Sequence, residues 1–151
     1  MATHAEQAIK YFTTGYNCAQ SVIMAYSEHY DVPTKQASLL AAGFGGGMGR
    51  KQYTCGAVTG AVMVLGCVLF DESKPVESKT RVYENVRAFM NSFEEAHTCS
   101  DCKGLLGVDL STSAGVEEAK ARNVSREVCD DIIRDVCDRL DSIIRDEEKI
   151  P

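Results

Sequence analysis

The chain has little of what most function classes require. Its 16 basic residues are outnumbered by 22 acidic ones, for a net charge of −6. They are scattered among the acids, so no basic stripe exists for nucleic acid. Met1 to Tyr11 is polar and amphipathic and lacks the apolar segment of a signal peptide. The longest apolar run, Ala57 to Phe70, contains Gly60 and Gly66 and is too short to cross a bilayer. No membrane partner is expected, and the expected location is cytoplasmic. There is no serine–histidine–acid set and no paired-carboxylate signature, which removes the basis for hydrolytic chemistry. His4, His29 and His97 are isolated; only His97, two residues before Cys99, is a candidate ligand.

What the chain does have is cysteine, seven in 151 residues. In a reducing compartment structural disulfides are the poorer explanation for so many, which points to thiol chemistry.

The chain is long enough to bury a core of its own and reads as one domain, residues 1–151. Nearly every segment has a helical period. Thr3 to Thr13 places Ala5, Ala8, Ile9 and Phe12 on one face and breaks at Gly15. Asn17 is a good N-cap for a helix that runs to Pro33, and Thr34 caps a short one through Ala42. Thr54 is expected to cap the apolar helix Cys55 to Phe70. Its Gly56 and Gly60, four residues apart, would let a neighbouring helix approach closely, so this should be the central helix.

A long amphipathic helix is expected from Val76 to Ala96, with Val82, Val86, Phe89, Met90 and Phe93 inward. Ser100 is expected to cap a short turn carrying Cys102, ended by Gly107. A brief Val116 to Ala121 helix follows, and Ser125 opens the last one. There Val128, Cys129, Ile132, Ile133, Val136, Leu140 and Ile144 form an apolar stripe that could also serve as a homodimer seam. No strand signal stands out. The fold class is all-α: a single-domain bundle of about five to seven helices around an apolar, glycine-containing helix.

Helix geometry sorts the cysteines. Cys55 and Cys67 would lie roughly 18 Å apart along one helix axis, and Cys129 and Cys137 roughly 12 Å apart. One helix therefore gives at most one sulfur to a shared site. Cys18, Cys55, Cys102 and Cys129 fall near the starts of four different helices, where unpaired N–H groups favour a thiolate. Cys67 and Cys137 sit deep in helices and read as core. Cys99 and Cys102 make a Cys-x-x-Cys pair, which reads either as a redox dithiol or as half a metal site, with Cys99 a resolving thiol or an exposed spectator.

The run Gly43 to Gly49 matches no phosphate-binding spacing. Its plain reading is a turn where backbone passes close to backbone. A second reading gives it a cofactor role: Gly45, Gly46 and Gly47 would offer backbone N–H groups to cluster sulfurs, and Arg50 would offset thiolate charge.

The blocks Gly15-Tyr16-Asn17-Cys18-Ala19-Gln20, Gly43-Phe44-Gly45-Gly46-Gly47-Met48-Gly49-Arg50, Cys55-Gly56-Ala57-Val58-Thr59-Gly60, Cys102 before Leu105-Leu106-Gly107, and Cys129 resemble the redox-active family named for its C_GCAxxG_C_C pattern. The resemblance spans most of the chain. Its four cysteines match Cys18, Cys55, Cys102 and Cys129, and it implies a redox role associated with oxidoreductase or transporter genes. A related domain in split-Soret-type cytochromes is thought to carry an iron–sulfur site. Cys67, Cys99 and Cys137 are extra to the pattern.

Three readings follow. In the first, the four thiolates bind an iron–sulfur cluster, [2Fe–2S] by expectation, and pass single electrons to a redox partner protein or oxidoreductase. In the second, Cys18 with Cys55, or Cys99 with Cys102, works as a thiol–disulfide couple, the four redox-active thiols needing no metal. In the third, the four cysteines hold a structural zinc in an interaction module. The sequence alone does not decide whether the protein is an enzyme.

Overall fold

A computed structural model describes residues 1–150. The described residues form eight right-handed α-helices: α1 His4–Thr13, α2 Cys18–Ser27, α3 Thr34–Ala41, α4 Gly56–Leu69, α5 Pro75–His97, α6 Cys102–Leu106, α7 Ser113–Ala121 and α8 Asp130–Glu148. The count exceeds five to seven because even the five-residue Cys102 segment winds into a helix of its own. No strand forms among the described residues, and no helix there is long and apolar enough to cross a membrane.

Local chemistry explains the starts. Thr3 and Glu6 form a reciprocal capping box on α1, and Asn17 and Gln20 form one on α2, each satisfying helix-end N–H groups. The Asn17 and Gln20 amides also donate to Ala42 O and Ser38 O, which ties the head of α2 to α3.

The central helix is α4. Val58, Ala61, Val64, Leu65 and Leu69 are buried along it, and α2 crosses it where the sequence has glycine. A methyl on Gly60 would lie 2.9 Å from Ala19 O and 3.0 Å from Val22 Cβ. Only a residue without a side chain permits that approach. The α8 stripe Ile132, Ile133, Val136, Leu140 and Ile144 is buried in the same core, so the seam that suggested a homodimer is consumed inside the chain. Tyr26 closes the far end, its hydroxyl donating to Cys137 O at 3.0 Å and Asp141 Oδ1 at 2.9 Å.

A second, smaller core lies apart: Cys102, Leu106, Val108, Ala119 and Val124, with Leu110, Val128 and Cys129 against it. It gathers α6, α7 and the start of the last helix.

Several details depart from the sequence reading. Thr54 does not cap α4; it bridges antiparallel to Asp101, and Cys55 itself is the N-cap. Asp101 replaces Ser100 as the α6 cap, accepting from Gly104 N–H, while Ser100 O takes the Cys55 N–H. Thr112 caps α7 three residues earlier than expected. Cys67 is exposed, because its position on α4 turns away from the core; Cys137 is fully buried.

Candidate functional site: a four-cysteine cavity between two cores

Between the two cores lies a cavity of about 750 Å³, and Cys18, Cys55, Cys102 and Cys129 all line it. Two cysteines come from the main core's side. Cys18 opens α2 directly after its cap Asn17, and a methyl on Gly56 would run into its sulfur, so glycine there is what lets Cys18 sit against the head of α4. Cys55, buried in the main core, ends an extended segment and begins α4.

The other two come from the small core's side. Cys102 begins α6, and a backbone lattice welds its entry to that of Cys55: Cys55 N–H donates to Ser100 O at 2.8 Å, and Cys102 N–H to Tyr53 O at 2.6 Å. Two cysteines far apart in sequence are thereby delivered side by side. Cys129 is reached differently. The last helix starts after Asn123, whose φ is +51°, and Ser125–Cys129 winds as a π-helix before continuing as α8. Cys129 is therefore not at a free helix start as expected; a widened turn, a feature common at functional sites, carries it to the cavity. Arg126 on that turn lies over the Phe12 ring, 5.4 Å from its centroid, and pairs with Asp130 at 3.0 Å. The other Asp130 oxygen, Oδ1, is buried without a hydrogen-bond partner among the described residues.

The glycine run forms a left-handed turn. Five consecutive residues, Gly46, Gly47, Met48, Gly49 and Arg50, have φ between +57° and +69°. Such a path costs an L-residue about 1–2 kcal/mol at each position and glycine little, which is why three of the five are glycine. Gly45, Gly46, Gly49 and Arg50 face the cavity. Gly47 does not: it is buried against backbone, where a methyl would lie 2.7 Å from Tyr53 N and 2.8 Å from Gln52 Cα. A methyl on Gly45 would collide with the Asn17 side chain, so the turn packs onto the cap that presents Cys18.

Gln52 was missed by the sequence reading. It is 4 % exposed and has a φ of +57°. Its amide donates to Val108 O at 2.9 Å and lies 3.8 Å from Cys102 Sγ, while its Oε1 accepts from Leu110 N–H at 2.7 Å. One side chain thus fastens the small core to the glycine turn and gives a donor to a site sulfur. A lone amide residue between a glycine run and a cysteine was the only hint in the sequence.

Three of the thiols, Cys55, Cys102 and Cys129, are less acidic than helix-start placement suggests. Burial pushes Cys55 up, and the charge of Cys18 adds to the rise; the Ala57 and Val58 N–H groups favour its thiolate, although the thiol makes no cap hydrogen bond. Burial raises Cys102 to about 11, opposed by the Gln52 amide, and raises Cys129 to about 12, with Cys18 and Cys102 adding. Desolvation and the mutual repulsion of clustered thiolates outweigh the helix ends. A cation entering the cavity would reverse that balance by displacing protons from sulfur.

The remaining candidates lie elsewhere. Cys99 does not line the cavity; its sulfur sits over Gly104 beside Asp101. His97 pairs with Asp135 at 2.8 Å and stacks on Phe93. Among the described residues no three His, Cys, Asp or Glu side chains are drawn together as a ready ligand set for one metal ion.

Four thiols thus line one cavity from its two sides, with the Gln52 amide toward the Cys102 sulfur and two peptide N–H groups favouring the Cys55 thiolate, a donor set of the thiolate type that soft metal centres use. No curated protein and no solved structure matches the chain. A family model described as "Putative redox-active protein (C_GCAxxG_C_C)" matches residues 16–143. That span contains all four cavity cysteines and most of the chain, so the protein belongs to the C_GCAxxG_C_C redox-active family.

Proposed function

We propose that Cys18, Cys55, Cys102 and Cys129 hold an iron–sulfur cluster and that the protein passes single electrons between this centre and a partner protein. One observation carries the reading: four cysteines from four separate segments face one cavity of about 750 Å³. Structural zinc usually draws its ligands as closely spaced pairs, whereas these four cysteines are dispersed along the chain, which makes the zinc reading the weaker one.

When bound, the cluster supplies reversible one-electron chemistry. The chain's own groups hold and tune it. Ala57 and Val58 N–H groups favour the Cys55 thiolate, Gln52 donates toward Cys102, and Arg50 and Lys120 bring positive charge to the cavity wall. Hydrogen bonds to sulfur and nearby cations raise a cluster's potential, and burial lowers it.

The test is anaerobic purification from cells with intact cluster assembly, followed by iron and sulfide analysis and a visible spectrum. Iron and acid-labile sulfide in matching amounts, with absorption bleached by a reductant, are expected. A colourless, iron-free protein contradicts the reading.

A second reading draws on the closeness of Cys18 to Cys55: the Cys18 sulfur packs against Gly56, the residue that follows Cys55, and its charge helps raise the Cys55 thiol. Their oxidation to a disulfide would pass two electrons and two protons to an oxidoreductase partner. Counting thiols in reduced and oxidised samples checks it: a reversible loss of two supports the couple, and no change removes it.

A further inference from the structure

The cavity is too large for the proposed centre alone. Even an eight-atom cluster given a full water's share for every atom fills only roughly 240 Å³, against about 750 Å³ present. The excess is within the range of small-molecule sites, about 300–1,000 Å³.

The wall away from the main core is apolar, formed by Leu106, Leu110, Val116, Ala119 and Val124. Such a surface holds ordered water poorly and suits an organic body. Two cations, Arg50 and Lys120, also line the cavity, and neither pairs with a carboxylate among the described residues. Three cations of the small core's side are paired, Lys103 with Asp109 at 3.4 Å, Arg122 with Glu118 at 3.5 Å and Arg126 with Asp130 at 3.0 Å, which leaves Lys120 as the charge that α7 offers the cavity. Arg50 is moreover held at a φ of +69°, a costly backbone position for a residue with a side chain.

We propose that the cavity binds a small organic carboxylate beside the four cysteines, its apolar part against α6 and α7 and its carboxylate toward Lys120 and Arg50. The redox role of the site makes this molecule its candidate substrate; that assignment rests on the cluster reading, whereas the binding itself does not.

The probe is octanoate, titrated by calorimetry into the anaerobically purified protein, with octanol and octylamine as controls and iron content measured on the same samples. Saturable binding of octanoate is expected, with octylamine not binding. Lys120→Glu should weaken octanoate roughly tenfold or more, and Lys120→Arg should keep most of the affinity. Lys120 is exposed on α7, so helix content should stay unchanged. No saturable binding, equal binding of all three probes, or indifference to Lys120→Glu overturns the proposal. Octanoate binding to an iron-free protein would sink the cluster and keep this site; iron without octanoate binding would do the reverse.

Discussion

The two sides of the cysteine cavity rest on unequal foundations. Cys18 and Cys55 belong to a core with twenty-five buried residues, from Ala5 in α1 to Ile144 in α8. Cys102 and Cys129 belong to one with five. Apolar burial is the main stabilising term, so the large core holds its pair of sulfurs rigidly, whereas the small core depends on specific hydrogen bonds to the rest. Those bonds are few: the backbone pairing around Thr54 and Asp101, and Gln52. A metal centre bridging all four sulfurs would staple the weak side to the strong one, and metal binding would then appear as local folding.

The largest break in that comparison should come from the main core. Gly60→Val places branched carbon where Ala19 O and Val22 already lie within about 3 Å. It should cost about 3 kcal/mol or more and lower the urea midpoint of the whole chain. Local unfolding confined to residues 102–129 would show that α2 and α4 do not define the core.

Gln52→Ala should act on the other side. It strands Val108 O and Leu110 N–H, a loss of about 2 kcal/mol. Amide exchange should speed up in α6, α7 and the π turn and stay slow in α4. Equal acceleration in both would merge the two regions into one cooperative unit.

Alkaline titration sharpens the contrast further. Cys102, Cys129 and Cys137 are raised to about 11, 12 and 12 by burial, above their ordinary value near 9. The folded chain thus favours the protonated thiol, and stability is full below pH 9 and falls as pH rises toward 11–12. Urea midpoints of the metal-free protein at pH 8 and pH 10.5 should show the drop, and a pH-independent midpoint would contradict it. Metal uptake has the opposite sign, improving as pH rises because each bound thiolate releases a proton.

The smallest effect belongs to Cys67→Ser. The residue is exposed, so stability should move by no more than about 0.5 kcal/mol. Cys137→Ser buries a hydroxyl in a fully enclosed place and should cost about 1–3 kcal/mol. Thermal melts of the two side by side test whether α4 turns Cys67 outward as described.

Features set by nearest neighbours were legible in the sequence. The Asn17 cap, the Gly107 stop and the close approach at Gly56 and Gly60 each follow from one residue's chemistry. The Thr54–Asp101 bridge and the reach of Gln52 were not, because they join segments about fifty residues apart. The left-handed path through Met48 and Arg50 was hidden too, since those residues disfavour it in isolation and tertiary contacts must hold them there. Cys129 was assigned to the cavity on the assumption of a free helix start; a π turn performs that placement instead.

The central claim is that sulfurs from both cores share one cofactor. Its most direct test is iron and sulfide content, measured anaerobically, in single Cys→Ser variants at all seven positions. Cofactor should be lost on replacing Cys18, Cys55, Cys102 or Cys129 and retained on replacing Cys67, Cys99 or Cys137. Full retention after Cys18→Ser or Cys102→Ser, or an unaltered chain that carries no iron, would contradict the account.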